Sequence, residues 1–169
     1  LNTEIDYPAM FVMNLPLILG AILLFAIVVW ISCLDDTEAK IACKGNSFCF
    51  TGNITKVVDG DTVDVNGIRI RLSLVDTPER GQANFTEAKN LALKLCPIGS
   101  TALVDQDDEQ RGGSFGRMVG KVYCNYNASN VNLTSLNEAV FKNGYARILT
   151  EFCAKSEFAN ELWVKGHGC

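Results

Sequence analysis

A short stretch of this chain, residues 58–79, is rich in charged side chains, and three of its carboxyl groups and one of its guanidinium groups could act together. The carboxyl groups belong to Asp61, Asp76 and Glu79, and the guanidinium belongs to Arg71. Carboxylate oxygens are preferred ligands of hard divalent cations, and a guanidinium can donate two parallel hydrogen bonds to a phosphate. The stretch therefore contains the groups needed to hold a cation against a phosphate.

The same stretch is predicted to form a β-hairpin, because Asn66-Gly67 lies between two runs of alternating apolar residues. A two-residue type I′ turn fixes the pairing of the two strands and places Asp61 opposite Leu72 at the open end. Asp61 and Arg71 are then diagonal neighbours. Pro78 follows the second strand, ends its ladder and turns the adjacent carboxylates away from the sheet.

Asp61, Asp76, a backbone carbonyl near Thr77 and water would form a ligand set made only of oxygen. This set suits Ca²⁺ or Mg²⁺ and not zinc. An EF-hand is excluded, since residues 64 and 70 are Asp and Ile where that loop needs glycine and a bidentate glutamate. A single Asp-Gly-Asp segment is usually a solvated turn, but here the further charged residues follow it in order and favour an active site.

Five short motifs occur in an order that resembles the staphylococcal nuclease (thermonuclease) family. They are DGDT at residues 59–62, RLSLVDTPE at 71–79, SFGR at 114–117, NEAV at 137–140 and NGYA at 143–146. The resemblance extends from about residue 51 to residue 149. It implies an α+β fold, a five-stranded Greek-key OB-fold barrel with about three packed helices.

The resemblance also implies a Ca²⁺-dependent phosphodiesterase that hydrolyses DNA and/or RNA and leaves 3′-phosphates. Asp61 and Asp76 would be metal ligands through their carboxylates, and Thr77 through its backbone carbonyl. The catalytic residues implied are Arg71, Glu79 and Arg117. The two arginines would bind the scissile phosphate and stabilise its transition-state charge, and Glu79 would act on the attacking water, as general base or by orienting it.

Phe115 stands where the family pattern has tyrosine. It is expected either to bind substrate by stacking on a base or to anchor its loop as a partly buried side chain. The alternative to an enzyme is a catalytically weak OB-fold module that binds nucleic acid or protein. The enzyme is favoured because a module that only binds has no need of the complete set of charged residues, Asp61, Arg71, Asp76, Glu79 and Arg117.

Apart from Cys33, the chain has six cysteines: Cys43, Cys49, Cys96, Cys124, Cys153 and Cys169. An even number in a small domain predicts three disulfides and an oxidising compartment, and no C-x₂-C spacing supports zinc. Six cysteines allow fifteen connectivities. The barrel implied by the resemblance places Cys96 near Cys124, and proximity along the chain then pairs Cys43 with Cys49 and Cys153 with Cys169.

The first 34 residues contain an apolar run, residues 15–34, of the length that spans a bilayer. The alternative is a cleaved signal peptide, but no lysine or arginine precedes Lys40, so an anchor is favoured. Residues 35–42 form a polar spacer and residues 43–169 the predicted domain. Four N-x-[ST] sequons in that domain support an extracellular location, either tethered or, after cleavage, secreted. We expect a monomer.

Charge restricts the way in which nucleic acid could bind. The chain has 19 acidic and 15 basic side chains. Five of the acidic side chains and one of the basic side chains precede residue 43, so the predicted domain has 14 of each. Affinity would therefore come from the arginines of the site and the cation rather than from a general basic surface. His167 is the only histidine, which excludes chemistry that needs a histidine pair.

Local patterns predict further elements. Asn84 and Ser135 are expected to cap helices, the first with Glu87 in a capping box and the second in a helix that Gly144 closes. A helix over residues 156–165 is expected to bury Phe158, Leu162 and Trp163. The acidic run at residues 105–109 is expected to be a solvated turn.

Overall fold

The computed structural model describes residues 43–127 and 133–169. The strands in these residues are β1 (Cys49–Val57), β2 (Thr62–Val65), β3 (Ile68–Leu72), β4 (Val75–Asp76), β5 (Thr101–Gln106), β6 (Met118–Cys124) and β7 (Arg147–Ile148). Five of them close into a barrel in the order β1-β2-β3-β6-β5, and β4 pairs with β7 in a separate two-stranded sheet. Strands β3 and β6 are parallel, whereas the other barrel pairs are antiparallel. The predicted five-stranded OB-fold barrel is confirmed.

The hairpin of β2 and β3 has the predicted turn and register. Asn66 and Gly67 have φ values of 49° and 80°, which a type I′ turn requires at both central positions. Thr62 pairs with Arg71, and the backbone N–H of Leu72 donates to the carbonyl of Asp61 at 2.8 Å. This register brings the side chains of Asp61 and Arg71 to the same end of the hairpin.

Three α-helices accompany the barrel in the described residues: α1 (Phe85–Leu95), α2 (Leu136–Lys142) and α3 (Leu162–Lys165). Two short 3₁₀ helices span Asp108–Gln110 and Thr150–Lys155. Helix α1 buries Ala88 and Ala92, and helix α2 buries Leu136 and Val140. These small and branched side chains let the helices pack closely on a core that the barrel fills with Val63, Ile70, Leu72, Val104 and Val122.

Of the two predicted helix caps, one is confirmed. The Ser135 hydroxyl accepts the N–H of Glu138, and Gly144, with φ of 77°, ends helix α2 in a Schellman motif. At the other helix, Asn84 occupies the predicted N-cap position and the helix runs to Leu95 as predicted, but the predicted capping hydrogen bonds were wrong. Asn84 has a left-handed backbone with φ of 65°, and its side chain makes no capping bond, because an N-cap needs an extended backbone to turn its side chain toward the first N–H groups.

Three disulfides join the predicted pairs, Cys43–Cys49, Cys96–Cys124 and Cys153–Cys169. The Cys96–Cys124 bond links the end of helix α1 to the end of strand β6, as the barrel required. The Cys153–Cys169 bond ties the C-terminal residue to the 3₁₀ helix after β7. The connectivity inferred from the resemblance and from proximity is therefore confirmed.

The acidic run is not a solvated turn. Asp105 and Asp107 are 3% and 0% exposed. Asp107 accepts hydroxyl hydrogen bonds of 2.6 Å from both Ser73 and Ser156, residues that are distant along the chain. A buried carboxylate is stable when enough donors reach it, and these donors meet only in the folded domain.

The C-terminal helix is shorter than predicted. Only residues 162–165 form an α-helix, and Phe158 and Trp163 are buried as expected. Leu162, expected to be inward, is 91% exposed. The residues before this helix form turns and not a helix. The prediction counted helical spacing from residue 156 and therefore placed Leu162 on the wrong face.

No helix within residues 43–127 and 133–169 is long and apolar enough to cross a bilayer. The predicted span at residues 15–34, the spacer at residues 35–42 and the sequon at Asn132 lie outside the described residues.

Candidate active site

Asp61 lies directly before strand β2 and is only 3% exposed. Its Oδ2 accepts the backbone N–H of Thr77 at 2.6 Å and the Thr77 hydroxyl at 2.8 Å, and its Oδ1 lies 2.9 Å from Nη1 of Arg71. Burial raises the pKa of Asp61, and the charge of Arg71 and the hydrogen bonds from Thr77 oppose this rise. Both oxygens of this buried carboxylate therefore have partners, and its environment is set by Arg71 and Thr77.

Arg71 joins two carboxylates. While Nη1 pairs with Asp61, Nη2 lies 3.0 Å from Oδ1 of Asp76, and Nη1 also donates to the carbonyl of Val75 at 2.8 Å. The Arg71 side chain is 12% exposed. The diagonal arrangement predicted from the hairpin is present, and it brings Asp76 to the same guanidinium.

Asp76 binds a second guanidinium, that of Arg147. The Nε and Nη2 atoms of Arg147 lie 3.0 Å and 2.9 Å from Oδ2 of Asp76, because the two residues are direct partners in the β4–β7 pair. Arg147 was not among the residues predicted from the sequence. Its pairing joins residues 71 positions apart, and no local pattern indicates such a contact.

An open cleft of about 350 Å³ contains most of the predicted site residues. Its lining includes Arg71, Asp76, Glu79, Phe115 and Arg117, together with Gln110, Leu149 and Phe152. Glu79 is exposed, and its backbone N–H donates to the side-chain oxygen of Gln82 at 2.8 Å. Asp61 and Thr77 are buried behind Arg71 and do not line this cleft.

Phe115 and Arg117 lie on a tight turn at the rim of the cleft. Ser114 and Arg117 exchange two backbone hydrogen bonds of 2.9 Å, and the φ values of Phe115 and Gly116 are 49° and 73°. The Phe115 side chain is 98% exposed, so its interpretation as a partly buried loop anchor was wrong. The Arg117 guanidinium lies 5.9 Å from the centre of the Phe115 ring and donates to the carbonyl of Ser114 at 3.1 Å.

The chemistry of this site fits a hard divalent cation. Asp61 and Asp76 each direct one oxygen to the same cationic group, Arg71, and Asp61 carries charge that burial disfavours. Within the described ranges no group of three or more His, Cys, Asp or Glu side chains is arranged to bind a metal. Two carboxylates would therefore need additional oxygen ligands, which the backbone of Thr77 and water could supply.

Comparison with known families gives a match to one family model. Residues 69–163 match the family model described as staphylococcal nuclease homologue. The chain belongs to the staphylococcal nuclease family. The matched range includes Arg71, Asp76, Glu79 and Arg117, and it begins after Asp61.

The chain is also similar to individual proteins. The chain is 31% identical over 138 residues to uncharacterized protein MJ1439 of Methanocaldococcus jannaschii, covering 66% of this chain and 65% of the relative. It is 30% identical over 103 residues to a micrococcal nuclease of Shigella flexneri, covering 57% of each chain. It is also 31% identical over 117 residues to the probable staphylococcal-like nuclease CAN3 of Oryza sativa subsp. japonica, covering 63% of this chain and 28% of that protein. The alignments thus span less than two thirds of these relatives.

Proposed function

We propose that this chain is a Ca²⁺-dependent nuclease that hydrolyses phosphodiester bonds of DNA and/or RNA at the outer cell surface and leaves 3′-phosphates. The observation that carries the proposal is the convergence of Arg71, Glu79 and Arg117 on one cleft whose wall includes Asp76. Family membership adds support, since two of the relatives are named as nucleases.

The two arginines account for recognition of the phosphate. A guanidinium donates paired hydrogen bonds to phosphate oxygens, and two such groups on one cleft stabilise the charge that accumulates in the transition state. Arg71 is held by Asp61 and Asp76 from one side, which keeps it oriented before substrate arrives. Arg117 is held by its own turn through Ser114. Both groups are therefore preorganised.

Glu79 provides the carboxylate that acts on the attacking water, as general base or by orienting it. It is exposed at the cleft, and Gln82 holds its backbone, so its side chain is free to reach a water beside the phosphate. Asp61, Asp76 and the carbonyl of Thr77 would hold Ca²⁺. When bound, the ion would supply Lewis-acid stabilisation of phosphate charge.

Phe115 is proposed to stack on a base of the substrate. It carries a nearly fully exposed aromatic ring on a left-handed backbone, two unfavourable features at one residue. Their coincidence at the rim of the cleft supports a role in binding rather than in folding. An aromatic ring accepts any base, which suits a nuclease of broad sequence preference.

The location and assembly are also proposed. Three disulfides support an oxidising compartment, and the apolar run at residues 15–34 supports a membrane anchor for a monomeric extracellular domain. The described domain carries equal numbers of acidic and basic side chains. Binding of nucleic acid would then depend on the site itself, and cation and substrate would bind cooperatively because each supplies the charge that the other needs.

The test uses the 169-residue chain. It is kept in mild detergent because residues 15–34 form an apolar run. Release of acid-soluble nucleotides from single-stranded DNA and RNA is measured in Ca²⁺ and in EGTA, and the product ends are identified. Release in Ca²⁺ alone, with 3′-phosphates, supports the proposal. A folded chain that binds DNA without cleaving it would instead support the binding-module alternative.

A further inference from the structure

A second depression adjoins the active-site cleft on the other side of Asp76. This groove, of about 370 Å³, is lined by Asp76, Thr77, Pro78, Gln82, Gly144, Tyr145, Ala146 and Arg147. It is open to solvent, and Asp76 lines both the groove and the cleft. The cleft and the groove are therefore neighbours that share one wall residue, Asp76.

The groove contains the groups that recognise one nucleotide unit. Arg147 provides a guanidinium for a phosphate, Tyr145 provides an aromatic side chain, and Gln82 provides an amide. The Gln82 oxygen already accepts the N–H of Glu79 at 2.8 Å, so its NH₂ group is the donor left to the groove. The same hydrogen bond connects the groove to the backbone of Glu79, which lies at the cleft.

Arg147 can exchange its present partner for a phosphate at little cost. Its side chain is 65% exposed, and exposed ion pairs of this kind contribute little stability. Asp76 keeps Arg71 as a partner through its other oxygen, so release of Arg147 does not leave the carboxylate uncompensated. Because the domain has no net charge, a guanidinium that becomes available beside the cleft matters for binding a polyanion.

We propose that this groove is a further nucleotide subsite, in which Arg147 binds a phosphate of the nucleic acid beyond the scissile one and Tyr145 stacks on its base. The proposal rests on the proposed nuclease function. Substrate affinity then rises when a single-stranded oligonucleotide is long enough to reach from the cleft into the groove. A short substrate gains nothing from the groove, because it ends before Arg147.

The first experiment measures kcat and KM of the full chain on single-stranded thymidine oligonucleotides of two to six residues in Ca²⁺. In the wild type, kcat/KM is expected to rise with length. In Arg147→Gln we expect the increase of kcat/KM with length to be about tenfold smaller. The loss should come mostly from a higher KM, and kcat on the longest substrate should be preserved. An unchanged length dependence in Arg147→Gln would overturn the subsite while leaving the nuclease assignment intact.

Arg69→Gln is the matched control. Like Arg147, Arg69 pairs with an aspartate, Asp64, and is substantially exposed, but it lines neither the cleft nor the groove. Its substitution removes the same charge and is expected to preserve the length dependence. An equal effect in both variants would show that net charge, not the groove, is responsible, and would overturn the proposal.

Tyr145 gives a second, independent test. Tyr145→Phe is expected to keep the affinity for long oligonucleotides, whereas Tyr145→Ala lowers it about 5- to 100-fold. Binding is measured by fluorescence anisotropy of labelled oligonucleotides of each length, so that the result does not depend on turnover. If the chain binds but does not cleave, length-dependent binding that Arg147→Gln and Tyr145→Ala reduce still supports the subsite. Length-independent binding, or no binding at any length, overturns it.

Discussion

Arg71 and Asp61 form a nearly buried ion pair across the open end of the β2–β3 hairpin, with Nη1 and Oδ1 2.9 Å apart and side chains 12% and 4% exposed. The pair follows from a two-residue turn at the opposite end of the hairpin. Arg71 also extends from Asp61 to Asp76 and so joins the barrel to the β4–β7 sheet.

Removal of Arg71 is expected to cost stability as well as activity. Arg71→Met leaves Asp61 buried without its charged partner, and we expect the free energy of unfolding to fall by about 3 kcal/mol at pH 7. The loss should shrink at pH 4, where an unpaired Asp61 takes up a proton. Urea unfolding at both pH values measures this. Arg69→Met, which breaks an exposed pair, should cost about 1 kcal/mol or less, and an equal loss in the two variants would contradict the argument.

Gly60 is expected to be essential for the position of Thr77. A Cβ at residue 60 would lie 2.8 Å from the Thr77 hydroxyl and 2.9 Å from Cβ of Ala88. Gly60→Ala therefore forces Thr77 away from Asp61 or shifts helix α1, and we expect a loss of about 1–3 kcal/mol in urea unfolding. Gly112→Ala, whose Cβ meets nothing within 4 Å, is the control. Wild-type stability of Gly60→Ala would show that this contact is relaxed without cost.

Glu79 and Arg117 are expected to affect turnover and not folding. Both lie at the cleft, and their contacts are local to their own turns. Glu79→Gln and Arg117→Ala should each lower kcat by about 10²- to 10³-fold, with little change in the midpoint of thermal unfolding. Glu87→Gln, an exposed change of the same type on helix α1, should leave kcat unchanged. Wild-type kcat in Glu79→Gln or Arg117→Ala would remove that residue from the proposed mechanism.

Phe115 should show opposite effects on folding and binding. Phe115→Asn places a residue that tolerates a left-handed backbone at φ of 49° and removes an exposed ring, so stability should be equal or higher. Affinity for single-stranded DNA should fall about 5- to 100-fold, as expected for loss of one stacking surface. Anisotropy titration measures the affinity, and Phe115→Tyr should retain it. Unchanged affinity in Phe115→Asn would reject Phe115 as a substrate-binding residue.

Asp108 is expected to make stability depend on pH in the acid range. The neighbouring Ser47 side chain and the backbone N–H groups of Asn46 and Ser47, which donate to the carboxylate at 2.8 Å and 2.6 Å, lower its pKa to about 2 from an ordinary value of 3.8. Because the folded pKa is the lower one, its contribution to stability is present above pH 3.8 and is lost as the pH falls through 2.

The measurement compares urea unfolding of the wild type and Asp108→Asn at pH 6, 3 and 2. The difference in stability should be full at pH 6 and should disappear toward pH 2. Glu109→Gln, an exposed neighbour, should show no such dependence. A constant difference across this range would mean that Asp108 acts through packing rather than through its charge.

Local chemistry was sufficient to predict the hairpin and the approach of Arg71 to Asp61. The Asn66-Gly67 turn fixes which residues of the two strands pair, and side chains alternate between the two faces of each strand. This pairing makes Asp61 a neighbour of Arg71. The order of the remaining motifs indicated Asp76, Glu79 and Arg117 through their resemblance to a family. The same resemblance implied the barrel, and proximity completed the disulfide pairing.

Tertiary structure decided the features that depend on residues far apart in the chain. The sequence pattern indicated an exposed acidic turn, but Asp107 is buried because Ser73 and Ser156 bring hydroxyl donors to it. Arg147 reaches Asp76 only through the pairing of β4 with β7. A sequence by itself determines periodicity, turns and the types of available groups, whereas burial and ion pairing depend on which distant donors and charges the fold brings within hydrogen-bond distance.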